Sequence, residues 1–598
     1  MSKKQFIRKS LLCFLLISIL STFSFAEEEI ITLTEPEEEE RISLEETISG
    51  ESDEIENAWE IKISSFNSRL RFKDGYFYIY TRLGITNKLS LGWTVLERNE
   101  EIPVFDWHNF WRYKLKKYYL KIENSTQDNK IVIGNYALSY GQGLVFYTPL
   151  SELVRPIKIQ PSGLTVEKGT NENTYLRGFA WEKKTKNWLT TIFYSSVYLD
   201  GEKNTDDSFD DDLNELRENY GSLETKTDLA ENNNLKENLY GGRFAYQLDE
   251  NTYLGITGYE AKYNPLVNPD KTDNGYKGLV SAESEKWGYI FRGEKNSVFG
   301  FDFSQKYKHW NFFGEYAYSN SNGSGSAVTV KGDAWLVGSI LNFKKTYLFG
   351  SVYNYSPEYF NRHSKGEILF SDSVTQNQKG AVCGMKYKSK SQEFFLTYRL
   401  ASIPKPLWSG YSTNHSPRYP ADAWGIWFEY RQKLWKNLEL YFRQWNDRRE
   451  RYFYDSKTQT GTQVAQYRYR SRYQLTWQRK ENLRFRMRYE TKKERYPDLN
   501  QKDCGELYYF DVLSRIVPGF NLNARLILFD ARDIYLSETE PYWNDVYLSQ
   551  LLPKKKGERF YFLIEKKLTK NIAFWIKFEH ILTESREQRI KFQFDFYH

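Results

Sequence analysis

From Ile61 to the end of the chain, apolar and polar residues alternate with a period of two, and no other feature limits the fold as tightly. The run Asn482-Leu483-Arg484-Phe485-Arg486-Met487-Arg488-Tyr489-Glu490 alternates without error. As a strand it places Leu483, Phe485, Met487 and Tyr489 on one face and three arginines with Glu490 on the other, whereas a helix would smear both sets around its axis. Ile572, Phe574, Ile576 and Phe578 repeat the pattern, as do Leu438, Leu440 and Phe442, and Leu522, Ala524, Leu526 and Leu528.

These runs come in pairs. Asp249-Glu250-Asn251 joins Leu239–Leu248 to Thr252–Tyr263, Lys436-Asn437 joins Trp424–Trp435 to Leu438–Trp445, and Arg479 to Asn482 joins Tyr467–Trp477 to Leu483–Tyr489. Leu568 to Asn571 joins Phe560–Lys567 to Ile572–His580. Between hairpins lie longer polar segments at 201–237, 264–285, 356–377, 403–421, 449–463 and 533–556. Short turns alternating with long loops is the rhythm of a transmembrane antiparallel β-barrel, with turns on the periplasmic side and loops outside. The pattern predicts an all-β barrel of about 22–26 strands over 58–598, beginning near Ile61–Phe72. Phe592, Phe594 and Phe596 form an aromatic closing strand that must pair with the first, because hydrocarbon tolerates no open edge. Such a C-terminal strand is also the kind of signal read by a barrel-assembly machinery, although Tyr597-His598 extend past the usual terminal aromatic residue.

The N-terminus fits export. Lys3, Lys4, Arg8 and Lys9 precede an apolar run from Leu11 to Phe25, and Ser24-Phe25-Ala26 offers small residues for cleavage. This predicts a signal peptide over 1–26; the apolar run is short of the ~20 residues a spanning helix needs. Residues 27–57 read as an acidic, disordered tether in the periplasm, with a basic periplasmic partner as the alternative use. Residues 27–60 hold fifteen acidic residues against Arg41 alone, so the body beyond them is strongly basic although the whole chain is only +6. An aromatic content of 17% suits a lipid-facing surface with interfacial girdles.

One segment is distinctive: Ile133-Gly134-Asn135-Tyr136-Ala137-Leu138-Ser139-Tyr140-Gly141-Gln142-Gly143-Leu144, followed by Leu176-Arg177-Gly178-Phe179-Ala180. The pair resembles a motif of large bacterial outer-membrane proteins of unassigned function that carry N-terminal helix-hairpin-helix repeats. Phe529 to Tyr535 and Gly557 to Tyr561 resemble C-terminal strands of the same family. The resemblance implies a barrel over most of 60–598. The repeats themselves are absent, since 27–60 is too short and too acidic to supply them, so no nucleic-acid partner is expected. Read from the residues alone, Gly141-Gln142-Gly143 interrupts a strand with two positions free to take positive φ, which suits a kink or the close approach of another backbone. Pro149, Pro156 and Pro161 then exclude regular strand, and 145–173 is either a loop folded into the lumen or an ordinary extracellular loop.

Candidate chemistry centres on arginine. Arg468, Arg470 and Arg472 share one strand face, and Arg484, Arg486 and Arg488 share a face of the hairpin partner. Either they form a basic, anion-attracting lumen wall or neighbouring carboxylates neutralise them. Asp206, Asp207, Asp210, Asp211 and Asp212 lack calcium-loop spacing and read as a solvated loop. The six histidines make no metal-ligand spacing, no nucleophile elbow is present, and His415-Ser416 names no triad, so neither catalysis nor a cofactor is expected. Trp408, Tyr411, Tyr419 and Trp543 suit interfacial anchoring, with sugar stacking as the alternative. Cys383 and Cys504 are expected as unpaired thiols. The sequence thus predicts a protein seated among bacterial outer-membrane lipids, acting as a pore or transport component. Its rivals are a barrel that docks a partner and a secreted, soluble all-β carbohydrate-binding protein.

Overall fold

The computed structural model describes residues 65–597, apart from short breaks at turns and longer ones at 99–114, 147–162, 168–175, 210–232, 269–290, 323–329, 365–374 and 405–420. The expected signal peptide and tether, Ser416 and Trp408 lie outside the described residues.

The described residues are almost entirely strand. The first arc is β1 (Ser65–Lys73), β2 (Tyr76–Thr86), β3 (Leu89–Arg98), β4 (Leu115–Glu123), β5 (Asn129–Ser139), β6 (Gly163–Val166), β7 (Leu176–Lys184) and β8 (Trp188–Leu199). The second is β9 (Leu235–Gln247), β10 (Thr252–Val267), β11 (Gly293–Tyr307), β12 (Trp310–Asn322), β13 (Val330–Asn342), β14 (Thr346–Tyr355), β15 (Gln378–Lys388) and β16 (Gln392–Ile403). The third is β17 (Ala421–Trp435), β18 (Leu438–Asp455), β19 (Thr460–Lys480), β20 (Leu483–Tyr496), β21 (Gln501–Val517) and β22 (Phe520–Asp530). The chain ends with β23 (Ser537–Tyr542), β24 (Val546–Leu551), β25 (Lys556–Thr569), β26 (Ile572–Leu582) and β27 (Arg586–Tyr597).

One antiparallel sheet of 25 strands contains all but β23 and β24, which pair as a separate hairpin. Within it β6 branches from β5, leaving a continuous wall of 24 strands. The wall closes where β27 pairs with β1, with Leu70 opposite Phe594 and Phe72 opposite Phe592. Strands ~4.8 Å apart and tilted as barrels require give a ring of 24 a diameter of about 45 Å if circular.

The turns gather at one end. Those after β9, β11, β17, β19 and β21 are only two to four residues long, and the long connections all lie at the other end. At the β9–β10 turn the Asn251 amide (2.6 Å) and the Thr252 hydroxyl (3.0 Å) both donate to the Asp249 carboxylate and hold it below the usual carboxylate range. A one-residue register shift sits beside the turn in the hairpins β17–β18, β19–β20, β21–β22 and β25–β26, which sharpens the local twist. Two expected loops differ. Residues 449–463 are mostly strand, because β18 and β19 run on to Asp455 and from Thr460. Residues 533–556 contain the β23–β24 hairpin.

Alternation sorts the side chains. Phe244, Ile256, Phe299, Phe312, Val337 and Leu475 point outward and are exposed, while their neighbours Arg243, Thr257, Val298, Phe313, Leu336 and Gln474 point inward. A water-soluble sandwich would tuck the first set between two sheets; here a single sheet closes on itself and displays them. Trp310 and Phe312 stack on the outer face near the turns (5.4 Å), where Trp435 is 71% exposed. Further towards the loops, outward Tyr473, Tyr489 and Tyr508 stack across three strands. These are the two aromatic belts that a barrel places at the edges of its apolar band.

Candidate functional site

The lumen has two unlike arcs, and the first is built by chain that leaves the wall. β5 pairs with β4 only as far as Gly134 opposite Tyr119. Beyond that point the Tyr118 amide is taken by the Asn135 side chain (2.9 Å), and on the other flank the Arg177 amide donates to Ser195 Oγ (2.9 Å). Two side chains thus close the ladders that β5 leaves open on β4 and β7 leaves open on β8. Gly134 stands opposite Gly178, and a Cβ on either would strike a neighbouring strand's carbonyl oxygen, that of Tyr118 or Tyr194. This close approach is the physical content of the distinctive glycine motif.

Freed from the wall, the upper half of β5 pairs with β6, and residues 140–146 of the connecting segment pack against the inner faces of β8 to β12. The tight turn after β5 has positive φ at Gly141 (54°) and Gly143 (89°). It presents three amides to one carboxylate: Gln142 N, Leu144 N (3.1 Å) and Val145 N (3.1 Å) all donate to Glu315 of β12. Val145 fills the space over Gly300, where any side chain would collide with it. Phe146 packs on Phe193 (5.2 Å) and Tyr259 (5.0 Å).

A second carboxylate fixes the other end. Glu182 of β7 accepts from Leu164 N (3.0 Å) and the Tyr140 hydroxyl (3.2 Å), while buried Lys117 pairs with Glu167 (3.2 Å). Tyr140 lies over the guanidinium of Arg243 (4.7 Å), itself paired with Asp302 at 2.7 Å.

The connection between β14 and β15 locks over this segment. The Tyr359 hydroxyl (2.6 Å) and Asn361 Nδ2 (2.7 Å) donate to the Leu144 carbonyl, and Asn361 also reaches the Val145 carbonyl. Phe360 N donates to Ser319 Oγ (2.9 Å), and Arg362 and His363 reach Glu237 of β9. The described parts of the stretch expected as loop 145–173, together with the turn before it, therefore lie inside the barrel and are tied to it by backbone, side chain and apolar contacts at once. The apolar character of this arc, Phe193, Tyr259, Phe313 and Leu336 included, departs from the uniformly polar lumen that alternation suggests. It follows from the buried chain it must cover.

The second arc lies well round the ring. Arg468, Arg470, Arg472, Arg484, Arg486 and Arg488 all face inward from β19 and β20, interleaved with carboxylates from the same and adjacent strands. Arg468 pairs with Asp447 of β18 (2.9 Å), Arg470 (2.6 Å) and Arg472 (2.7 Å) share Glu490, and Arg486 shares Asp511 with Arg525 of β22. Aromatic rings separate the cations: Arg443 lies over Trp427 (5.0 Å), Arg468 over Trp445 (5.0 Å) and Arg525 over Tyr509 (4.3 Å). Carboxylates are present along this arc, but the three named, Asp447, Glu490 and Asp511, are fewer than the guanidiniums they face. The sequence reading did not single out Glu315, Glu182, Tyr359, Asn361 or Tyr509. For Glu315 the available signal was a carboxylate on an inner face between Phe313 and Ala317, opposite Asp302 and Leu336.

Among the described residues no group of three or more His, Cys, Asp and Glu is arranged to hold a metal ion, and Cys383 and Cys504 are free and exposed.

Fold and lumen together define the class: a closed antiparallel β-barrel with an apolar outer band and a partly filled interior. No family model matches the chain, and no curated protein matches it. Among solved structures it is similar to the copper transporter OprC, at 8% identity and TM-score 0.43, over 90% of this chain and 81% of that one. It is also similar to the siderophore receptor PirA from Acinetobacter baumannii, at 8% identity and TM-score 0.41, over 89% and 80%. A third is the ferric-catecholate import receptor Fiu from K12 E. coli, at 7% identity and TM-score 0.39, over 90% and 82%.

Proposed function

We propose that this chain is a bacterial outer-membrane barrel that passes small solutes through a lumen narrowed by the interlocked segments 140–146 and 356–364. The observation that carries the reading is the closed 24-strand wall with large apolar side chains outside and charged side chains inside. Only a closed barrel satisfies every strand's backbone groups in hydrocarbon, and a ring of this size leaves room beside the in-folded chain for water and solute. Residues 1–26 direct export, 27–57 remain as an acidic periplasmic tether, and 58–598 form the barrel. The Gly134–Leu144 stretch, on which the resemblance to helix-hairpin-helix-bearing barrels rests, is the hinge of the in-fold, and kinship with those barrels is read on that ground.

The test is reconstitution of the processed protein into planar bilayers. Discrete conductance steps are expected, larger in a variant with Gly141–Phe146 replaced by a short glycine-serine linker. A barrel that inserts and shows heat-modifiable migration, yet conducts in neither form, would overturn the pore reading.

A further inference from the structure

Cross-strand register arranges the charged arc in rows. One row runs Glu429, Arg443, Arg472, Glu490 and another Arg486, Asp511, Arg525. Between them runs Tyr441, Gln474, Arg488, Tyr509, Ile527, and this middle row holds no carboxylate. Arginine is thus flanked by acids above and below but not at its own level.

Arg488 is the cation of that row. Its Nε (2.8 Å) and Nη2 (2.5 Å) donate to one neutral acceptor, Gln474 Oε1, and its guanidinium lies over the Tyr509 ring at 4.7 Å. A guanidinium has five N–H donors in a planar fork, so three remain without a protein acceptor among the described residues. The side chain is partly open to the lumen. Tyr509, only 4% exposed, has three guanidiniums against its ring, those of Arg486, Arg488 and Arg525. Its hydroxyl has no hydrogen-bond partner among the described residues. Buried hydroxyls and guanidinium donors are ordinarily satisfied, so their convergence at one level marks a position where an acceptor is missing. Arg472 adjoins it from the row beyond. Arg443, Arg470, Arg472 and Arg488 outnumber the two carboxylates Glu429 and Glu490 that they face, so the acceptor that fits is an anion.

We propose that Arg488 and the Tyr509 hydroxyl, with Arg472 beside them, form an oxyanion-binding site in the lumen, suited to a phosphate group, free or carried on a small organic molecule. A tetrahedral oxyanion accepts the Arg488 fork through two oxygens and the tyrosine O–H through a third. Rings already engaged by guanidiniums hold the arginines in place rather than stack on the ligand. The inference rests on the reading of this arc as lumen wall.

The experiment is calorimetric titration of the folded barrel in detergent micelles with inorganic phosphate and, separately, a sugar phosphate, both against a chloride background. Saturable one-site binding of phosphate is expected, weakened about tenfold or more by Arg488→Gln, since a charge-assisted forked contact is lost. Arg488→Lys, which keeps the charge and loses the fork, should fall between, and Tyr509→Phe should weaken binding while leaving the fold intact by heat-modifiable migration. Binding of the sugar phosphate alone would assign the site to phosphate esters. Absence of saturable binding by either probe, or equal binding by wild type and Arg488→Gln, would overturn the site. The titration needs no conductance: a phosphate-binding barrel that never conducts sinks the pore reading alone, and a conducting barrel indifferent to phosphate sinks this one alone.

Discussion

Replacing Glu315 by alanine should release the in-folded segment from the wall. The carboxylate is the acceptor for the amides of Gln142, Leu144 and Val145, and it is buried at 5% exposure. Hydrogen bonds to a charged group contribute about 1.5–3 kcal/mol each. The three are not additive, because Tyr359 and Asn361 still hold the Leu144 carbonyl, so about 4 kcal/mol is a reasonable loss. At ~1.4 kcal/mol per factor of ten, that raises the population of the opened segment by several hundredfold. Hydrogen exchange read by mass spectrometry on peptides covering 140–146 should accelerate accordingly, while peptides from β18 to β21 keep their protection. Glu315→Gln, with one acceptor oxygen instead of two, should lie between. Exchange of 140–146 in Glu315→Ala within threefold of wild type would show that the carboxylate does not hold the segment.

Three further outcomes follow from the same structure. Arg243→Met leaves Asp302 buried without its cation and should lower unfolding stability by about 3–5 kcal/mol, with Asp302→Asn in the same chain restoring much of the loss; urea titration in micelles reads both. Phe299→Arg puts a cation on the outer face midway along β11 and should cost about 2–4 kcal/mol, read as loss of the heat-modifiable band in membranes. Asn361→Ala removes bonds to the Leu144 and Val145 carbonyls and should raise exchange of 140–146 by about tenfold, less than Glu315→Ala, since these are neutral bonds.

What the sequence reveals depends on how local the cause is. Alternation is local, so the hairpins at Asp249, Lys436 and Leu568 and the closing strand can be read directly from the residues. It also misleads locally: Arg449 to Tyr454 looks loop-like because it is charged, yet it continues β18 with inward arginines. The double glycine turn after β5 is visible, but its purpose is not. Glu315 lies far along the chain from Gln142, and only the register of β11 and β12 brings its carboxylate beneath those amides. The same holds for the arginines. Glu490 is visible in the same run as Arg488, but it pairs with Arg470 and Arg472 of the neighbouring strand, so like Asp447 and Asp511 it becomes a partner only through cross-strand pairing. The missing carboxylate beside Arg488 is likewise a property of a row that crosses five strands, and no window along the chain contains it.

Ring closure in the membrane can be examined with one cysteine pair. In a background with Cys383 and Cys504 changed to serine, Leu70→Cys and Phe594→Cys stand directly opposite on β1 and β27. Neighbouring strands bring their Cα atoms within the roughly 4.4–6.8 Å a disulfide spans. Oxidation of washed outer membranes should join the pair into a covalent ring that migrates anomalously on a non-reducing denaturing gel, while Leu70→Cys with Phe578→Cys, one strand further round, stays unbridged. A matched pair that never bridges, or a processed chain recovered in the soluble periplasmic fraction, would contradict a closed barrel in the membrane.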